Sequence, residues 1–154
     1  MAYKPIASSP EISERMRQAK TRGTKPELMI RRLLHAAGYR YRVQFRASGL
    51  ARRTVDLAFP CQRVAVFIDG CFWHGCTLHR SIPKSNNRWW SQKLTENHNR
   101  DVDTDERLKR LGWRVLRFWE HDDPANAVSM IRSVLKRRPG AKTDSAASPA
   151  RKAI

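Results

Sequence analysis

The sequence predicts a mixed α/β domain, and three observations carry that prediction. Helical and strand periodicities alternate in the order α-β-β-β-α-β-α. Val64 to Ile68 is an unbroken apolar run, the pattern of a central strand covered on both faces. A long helix from about Arg88 to Leu111 separates that run from a further strand, so helices must lie on a mixed sheet.

The elements follow in order. Residues 1–10 read as a flexible arm, and Ser9-Pro10 opens a short helix to about Lys20. Thr24-Lys25-Pro26-Glu27 has capping-box spacing and leads a helix through Met29, Ile30, Leu33, Leu34 and Ala37, which Gly38 stops. Tyr39, Tyr41, Val43 and Phe45 alternate with Arg40, Arg42, Gln44 and Arg46, the period of a half-buried strand. After a turn over 47–52, a second strand covers Thr54 to Phe59, with Val55, Leu57 and Phe59 on one face and Asp56 on the other. Pro60 ends it, and the run to Ile68 is the third strand. A Cys/His-rich loop and a polar segment over 81–87 precede the long helix, which Gly112 closes. Trp113 to Trp119 is the fourth strand. Asp123-Pro124 starts a last helix with Ala127, Ile131, Val134 and Leu135 inward. The domain therefore spans 11–138, and the Ala, Ser, Pro and Lys/Arg composition of 139–154 predicts a disordered basic tail.

The charge balance narrows the function. Thirty-one Lys and Arg face 14 Asp and Glu among 154 residues, a net charge of +17. Such a charge repels itself unless a polyanion neutralises it, and nucleic acid is the leading partner. A membrane is disfavoured, because no uninterrupted apolar segment can span or anchor. No apolar stretch near the N-terminus suggests secretion, and three cysteines do not make a disulfide scaffold. The expected setting is a reducing cytoplasm, close to the nucleoid.

The segment from Phe67 to His79 carries the chemistry. It gathers two cysteines, two histidines, a carboxylate and the aromatics Phe72 and Trp73. Cys71, Cys76 and His79, completed by His121 after the last strand, form a four-donor set suited to structural zinc, with His74 as the alternative to His79. Asp56, a carboxylate inside an apolar strand, is costly unless paired or metal-bound. With Asp69 at the next strand end and Glu27 on the helix before, it could hold a hard cation such as magnesium. Plainer roles stand beside these: Glu27 closing a capping box, Asp69 shaping a turn. Of Trp89 and Trp90, which share a helix turn, one is expected to be buried and Trp90 to face DNA.

The run Asp69-Gly70-Cys71-Phe72-Trp73-His74-Gly75-Cys76 resembles the signature of the very short patch repair (Vsr) DNA mismatch endonucleases. Segments in matching order flank it: Thr24-Lys25-Pro26-Glu27-Leu28, Val55-Asp56-Leu57, Trp89-Trp90, Arg100-Asp101 and Trp119-Glu120-His121. The resemblance implies a restriction-endonuclease-like core and a nick in one DNA strand, 5′ of the thymine in a T:G mismatch. It implies magnesium on Asp56, His74 activating the attacking water, and Glu27 near the metal-bound waters. Phe72, Trp73 and Trp90, with Met16 from the first helix, correspond to aromatic and apolar wedges. Cys71, Cys76, His79 and His121 correspond to the zinc ligands. The implied partner is double-stranded DNA bound by a monomer, with mismatch-repair proteins as further partners. Three positions depart from the family pattern: Val55 stands where a proline usually precedes Asp56, Asp69 where some members carry histidine, and His121 where some carry cysteine. Two other readings compete: a non-enzymatic zinc-stabilised DNA-binding module, and a different nuclease of the same fold.

Overall fold

The computed structural model describes residues 6, 9–18, 23–79 and 81–137. The tail expected over 139–154 and most of the arm expected over 1–10 lie outside the described residues, as does the side chain of Met16. The elements are α1 (Pro10–Gln18), α2 (Lys25–Ala36), β1 (Arg42–Phe45), β2 (Val55–Phe59), β3 (Val64–Asp69), α3 (Asn87–Arg110), β4 (Arg114–Trp119) and α4 (Pro124–Arg137).

One four-stranded sheet runs in the order β1-β2-β3-β4. β1 and β2 are antiparallel, as are β2 and β3, while β3 and β4 are parallel, so the sheet is mixed. A parallel pair needs a long crossover, and α3 with the loop before it supplies one. On one face, Leu57, Phe59, Val64, Val66 and Phe118 pack with Ile30 and Leu34 of α2 and Ile131 and Leu135 of α4. On the other, Val55, Ala58, Ala65 and Phe67 pack with Ala47, Leu50 and Leu108 of α3. Helices thus cover both faces, which is why β3 is apolar from Val64 to Ile68. Among the described residues, no helix is long and apolar enough to cross a membrane.

Helix ends follow the expected chemistry with one exception. Gly38 and Gly112 adopt left-handed φ values of 86° and 82° just past α2 and α3, where the backbone turns back on the last helical carbonyls. At the start of α2, however, the capping box does not close. The Thr24 side chain makes no cap bond, and Glu27 Oε2 accepts from the Gly23 N–H at 2.8 Å instead. Glu27 is 4 % exposed and lies 3.6 Å from Arg31. The apolar stripe of α2 is also narrower than its sequence suggests: Ile30 and Leu34 are buried, whereas Met29 is 47 % and Leu33 37 % exposed.

The first strand departs from strict alternation. Gln44 sits at φ 47°, outside the extended region, so Val43 and Phe45 no longer share a face. Val43 packs on the α2/α4 side, and Phe45 on the α3 side against Trp113, with ring centroids 5.7 Å apart. Val55, paired with Phe45, goes with it, so Val55 does not share the face of Leu57 and Phe59. Asp56 nevertheless stands on the face away from Leu57, as expected.

Candidate active site

The β3 end that carries Asp69 meets β4 beside α3, and the functional side chains gather there. A cavity of about 260 Å³ opens at this edge, with Asp56, Asp69, His74 and Asp101 on its wall. Both Asp56 and Asp69 line that cavity together with Phe67 and with Thr104 of α3, so both stand on the α3 side of the sheet.

Asp56 is not bare. Its Oδ2 accepts from the Ile68 N–H at 2.9 Å and its Oδ1 from Gln44 Nε2 at 3.4 Å. Gln44 is held in turn by the Thr54 hydroxyl at 3.0 Å. Burial nonetheless raises the Asp56 pKa to about 6, and the charges of Glu27 and Asp69 push the same way. Glu27 and Asp69 are thus each close enough to disfavour charge on Asp56. Glu27 is paired with Arg31 and Asp69 with Arg117, so Asp56 is the one of the three whose charge no arginine among the described residues balances, and the one a hard divalent metal would suit.

Asp69 is 7 % exposed and is gripped by Arg117, whose Nη1 lies 2.9 and 3.0 Å from its two oxygens. The same guanidinium bonds Asp105 through Nε and Nη2 at 2.8–3.0 Å, and stacks 4.3 Å above the Phe67 ring. Burial raises the Asp69 pKa, and Arg117 and His74 oppose that rise.

His74 follows the turn after β3. Its Nδ1 meets Asp101 Oδ2 on α3 in a short hydrogen bond, and stands 3.7 Å from Asp69. Burial disfavours the imidazolium, but the Asp101 bond and the charges of Asp69 and Asp101 outweigh it, so the His74 pKa lies above the usual imidazole value. With Nδ1 committed to a carboxylate, Nε2 is the ring nitrogen left for other chemistry.

The same turn carries the cysteines. Cys71 Sγ lies 3.0 Å from His121 Nδ1 and 3.7 Å from His79 Nδ1, and Cys76 Sγ lies 4.0 and 3.8 Å from the same atoms. All four donors fall within 4.8 Å of one another. Tetrahedral zinc with ordinary bond lengths separates sulfur from nitrogen by about 3.5 Å, so the set fits that ion. Without a cation the Cys71 thiol pKa is pushed up to about 12, by burial and then by Cys76 and Glu120. His74 is not in this group, because Asp101 draws its ring the other way. Glu120 accepts from the Cys71 N–H at 2.8 Å and donates its own N–H to the Asp69 carbonyl at 2.9 Å, tying the turn to β4.

Phe72 and Trp73, inside the turn, are half-buried rather than free. Phe72 packs on Trp73 and Trp90, with centroids 5.1 and 5.3 Å apart, and Trp90 contacts Trp89 at 4.8 Å. Neither Trp89 nor Trp90 is buried; both are half-exposed in one edge-to-face group, contrary to the expected division between them.

Sequence reasoning assigned no role to Asp101, Arg117 or Asp105. A signal existed: Asp101 and Asp105 are four apart on a helix and share a face, and Arg117 interrupts an otherwise apolar strand.

Comparison with known proteins decides the kinship. The model of the family "DNA mismatch endonuclease Vsr" matches residues 7–80. The chain is 43 % identical over 121 residues to the type II nicking enzyme V.NaeI of Lentzea aerocolonigenes, covering 77 % of this chain and 73 % of that one. It is 37 % identical over 110 residues to the DNA mismatch endonuclease Vsr of Escherichia coli, covering 70 % and 68 %. The chain belongs to the Vsr family. It is therefore a DNA endonuclease, and its cavity lies between the turn after β3, inside the matched residues, and α3. The type II nicking enzyme V.HpaIIP of Haemophilus parainfluenzae is similar too, at 41 % identity over 106 residues.

Proposed function

We propose that this enzyme nicks one strand of duplex DNA 5′ of the thymine in a T:G mismatch, by magnesium-dependent phosphodiester hydrolysis. The observation that carries the chemistry is the placement of Asp56 and the His74–Asp101 pair on one cavity. Asp56, with Glu27 nearby, would hold the metal, which supplies charge neutralisation at the scissile phosphate and a more acidic bound water. Asp101 fixes the His74 tautomer, and His74 Nε2 accepts the proton of the attacking water. Asp69 sits beside them as a further carboxylate, with Arg117 balancing its charge. Zinc held by Cys71, Cys76, His79 and His121 is structural in this proposal, since four protein donors leave no open position. It pins the turn that presents Phe72, Trp73 and His74.

Mismatch recognition rests on Phe72, Trp73 and Trp90, with Met16 as a further wedge. Aromatic insertion unstacks a base step at a cost of a few kcal/mol, and a mispair lowers that cost. The name of the Escherichia coli relative supports a mismatch as substrate. The enzyme is proposed to act as a cytoplasmic monomer on the nucleoid, with mismatch-repair proteins following it.

A second reading is favoured by the names of the type II nicking enzymes V.NaeI and V.HpaIIP: an enzyme that nicks a matched site. Mapping nicks on labelled duplexes carrying each of the mispairs, and on matched controls, separates the two. Cleavage 5′ of thymine in T:G alone supports the first, and equal cleavage of a matched site supports the second.

A further inference from the structure

Two arginines on the cavity, Arg52 and Arg100, take no part in the ion pairs around it. Both are exposed, and neither makes a side-chain hydrogen bond or ion pair among the described residues. Their neighbours behave differently. Arg53 is bound to Asp103 and to the Thr104 hydroxyl, and Arg117 is engaged by Asp69 and Asp105. Asp56 lines the same cavity, yet no ion pair joins it to either free arginine.

The backbone at Arg52 is also unusual. It sits at φ 60°, in the left-handed region that disfavours a side chain. Arg63, at φ 51°, has a local reason: its turn receives β4 through the Arg114 N–H at 2.7 Å, and its Nη1 reaches the Leu111 carbonyl. The Arg52 side chain has no such contact. The loop around it is firmly held, because Ala47 and Leu50 are buried in the α3-side core and the Leu50 N–H bonds the Ala47 carbonyl at 3.0 Å. Arg53 then ties the loop to α3, the helix that carries Arg100. A strained arginine on a loop tied to the core and to α3, with no side-chain partner among the described residues, is a group held ready for an external anion.

We propose that Arg52 and Arg100 grip the phosphates flanking the scissile one, from the β1–β2 loop and from α3 respectively. This rests on the DNA-nicking function proposed above and names the residues that position the strand. Phosphate contacts set register on the duplex and carry no base information. Arg53 is the strut that fixes the spacing between the two.

The test is duplex affinity as a function of salt, for wild type, Arg52→Gly, Arg52→Gln and Arg100→Gln, on T:G and matched duplexes with calcium in place of magnesium. Each substitution should lower the slope of log affinity against log salt by about 0.9, the share of one phosphate contact. Both duplexes should weaken by the same factor. Arg52→Gly should melt no lower than wild type, because glycine tolerates φ 60°. Unchanged slopes in the Arg52 and Arg100 variants, or a loss confined to the T:G duplex, would overturn the proposal. If wild type from the same preparation, moved into magnesium, nicked no duplex, the functional reading would fail instead.

Discussion

At the scale of single residues, burial holds two carboxylates of the site, Asp56 and Asp69, above their usual pKa. Asp56 shows this most clearly. Its pKa rises from 3.8 to about 6, so at pH 7 it is ionised in the fold at a cost. About two units at ~1.4 kcal/mol each make that cost on the order of 3 kcal/mol. The sign follows: the folded state binds its proton more tightly than the unfolded chain, so stability from this group falls as pH rises from about 4 to 6. Asp56→Asn, measured without divalent cations at pH 7, should therefore raise the melting temperature by several degrees and abolish nicking. A lower melting temperature would mean that the carboxylate is stabilised rather than strained. Asp101 acts on a neighbour instead. It raises the His74 pKa, and His74 must be neutral to accept a proton. The nicking rate should rise with pH through the His74 titration. Asp101→Asn should move that acid limb to lower pH while reducing the maximum rate. An unmoved limb would assign the titration to another group. Asp56 and His74 were legible in the sequence, one as a charge in an apolar strand and the other through its motif. The roles of Asp101 and Arg117 were not, although spacing set both apart, because their partners lie 27 and 48 residues away and only the fold brings them together.

At the scale of elements, turn chemistry and burial pattern anticipated the structure well where one local rule dominated. The apolar run of β3 and the glycines after α2 and α3 behave as expected. The reading failed where tertiary contact overrode a local preference. Gln44 leaves the extended region and redirects Phe45, and its amide then supports Asp56. Glu27, which the sequence offers as a cap, reaches past Thr24 to Gly23, and its charge acts on Asp56. The Cys/His turn is the element that joins fold and function. Cys76→Ser should lose bound zinc and lower the melting temperature, as metal analysis and calorimetry on one sample would show; a folded protein with no zinc would remove the metal from the account. Trp73→Ala should weaken T:G duplex binding by roughly tenfold, since one stacked aromatic contributes ~1–3 kcal/mol. Zinc content should not change. Equal weakening on matched DNA would reduce Trp73 to a general stacking group.

At the scale of the whole molecule, helices on both faces leave one sheet edge, with the β3 end, its turn and α3, as the place where charge and aromatics collect. The net charge of +17 favours approach to DNA, and the carboxylate cavity is the proposed place of cleavage. A zinc-stabilised binding module would need the first and not the second. The kinship with named endonucleases excludes that module, while the mispair and the metal stand as the central proposal. They are tested together by single-turnover nicking of one duplex, prepared with T:G or with T:A at the same position, in magnesium and in chelator. The account predicts a nick 5′ of the thymine in the T:G duplex, dependent on magnesium and lost in Asp56→Asn. Equal nicking of the T:A duplex, or nicking that persists in chelator, would contradict it.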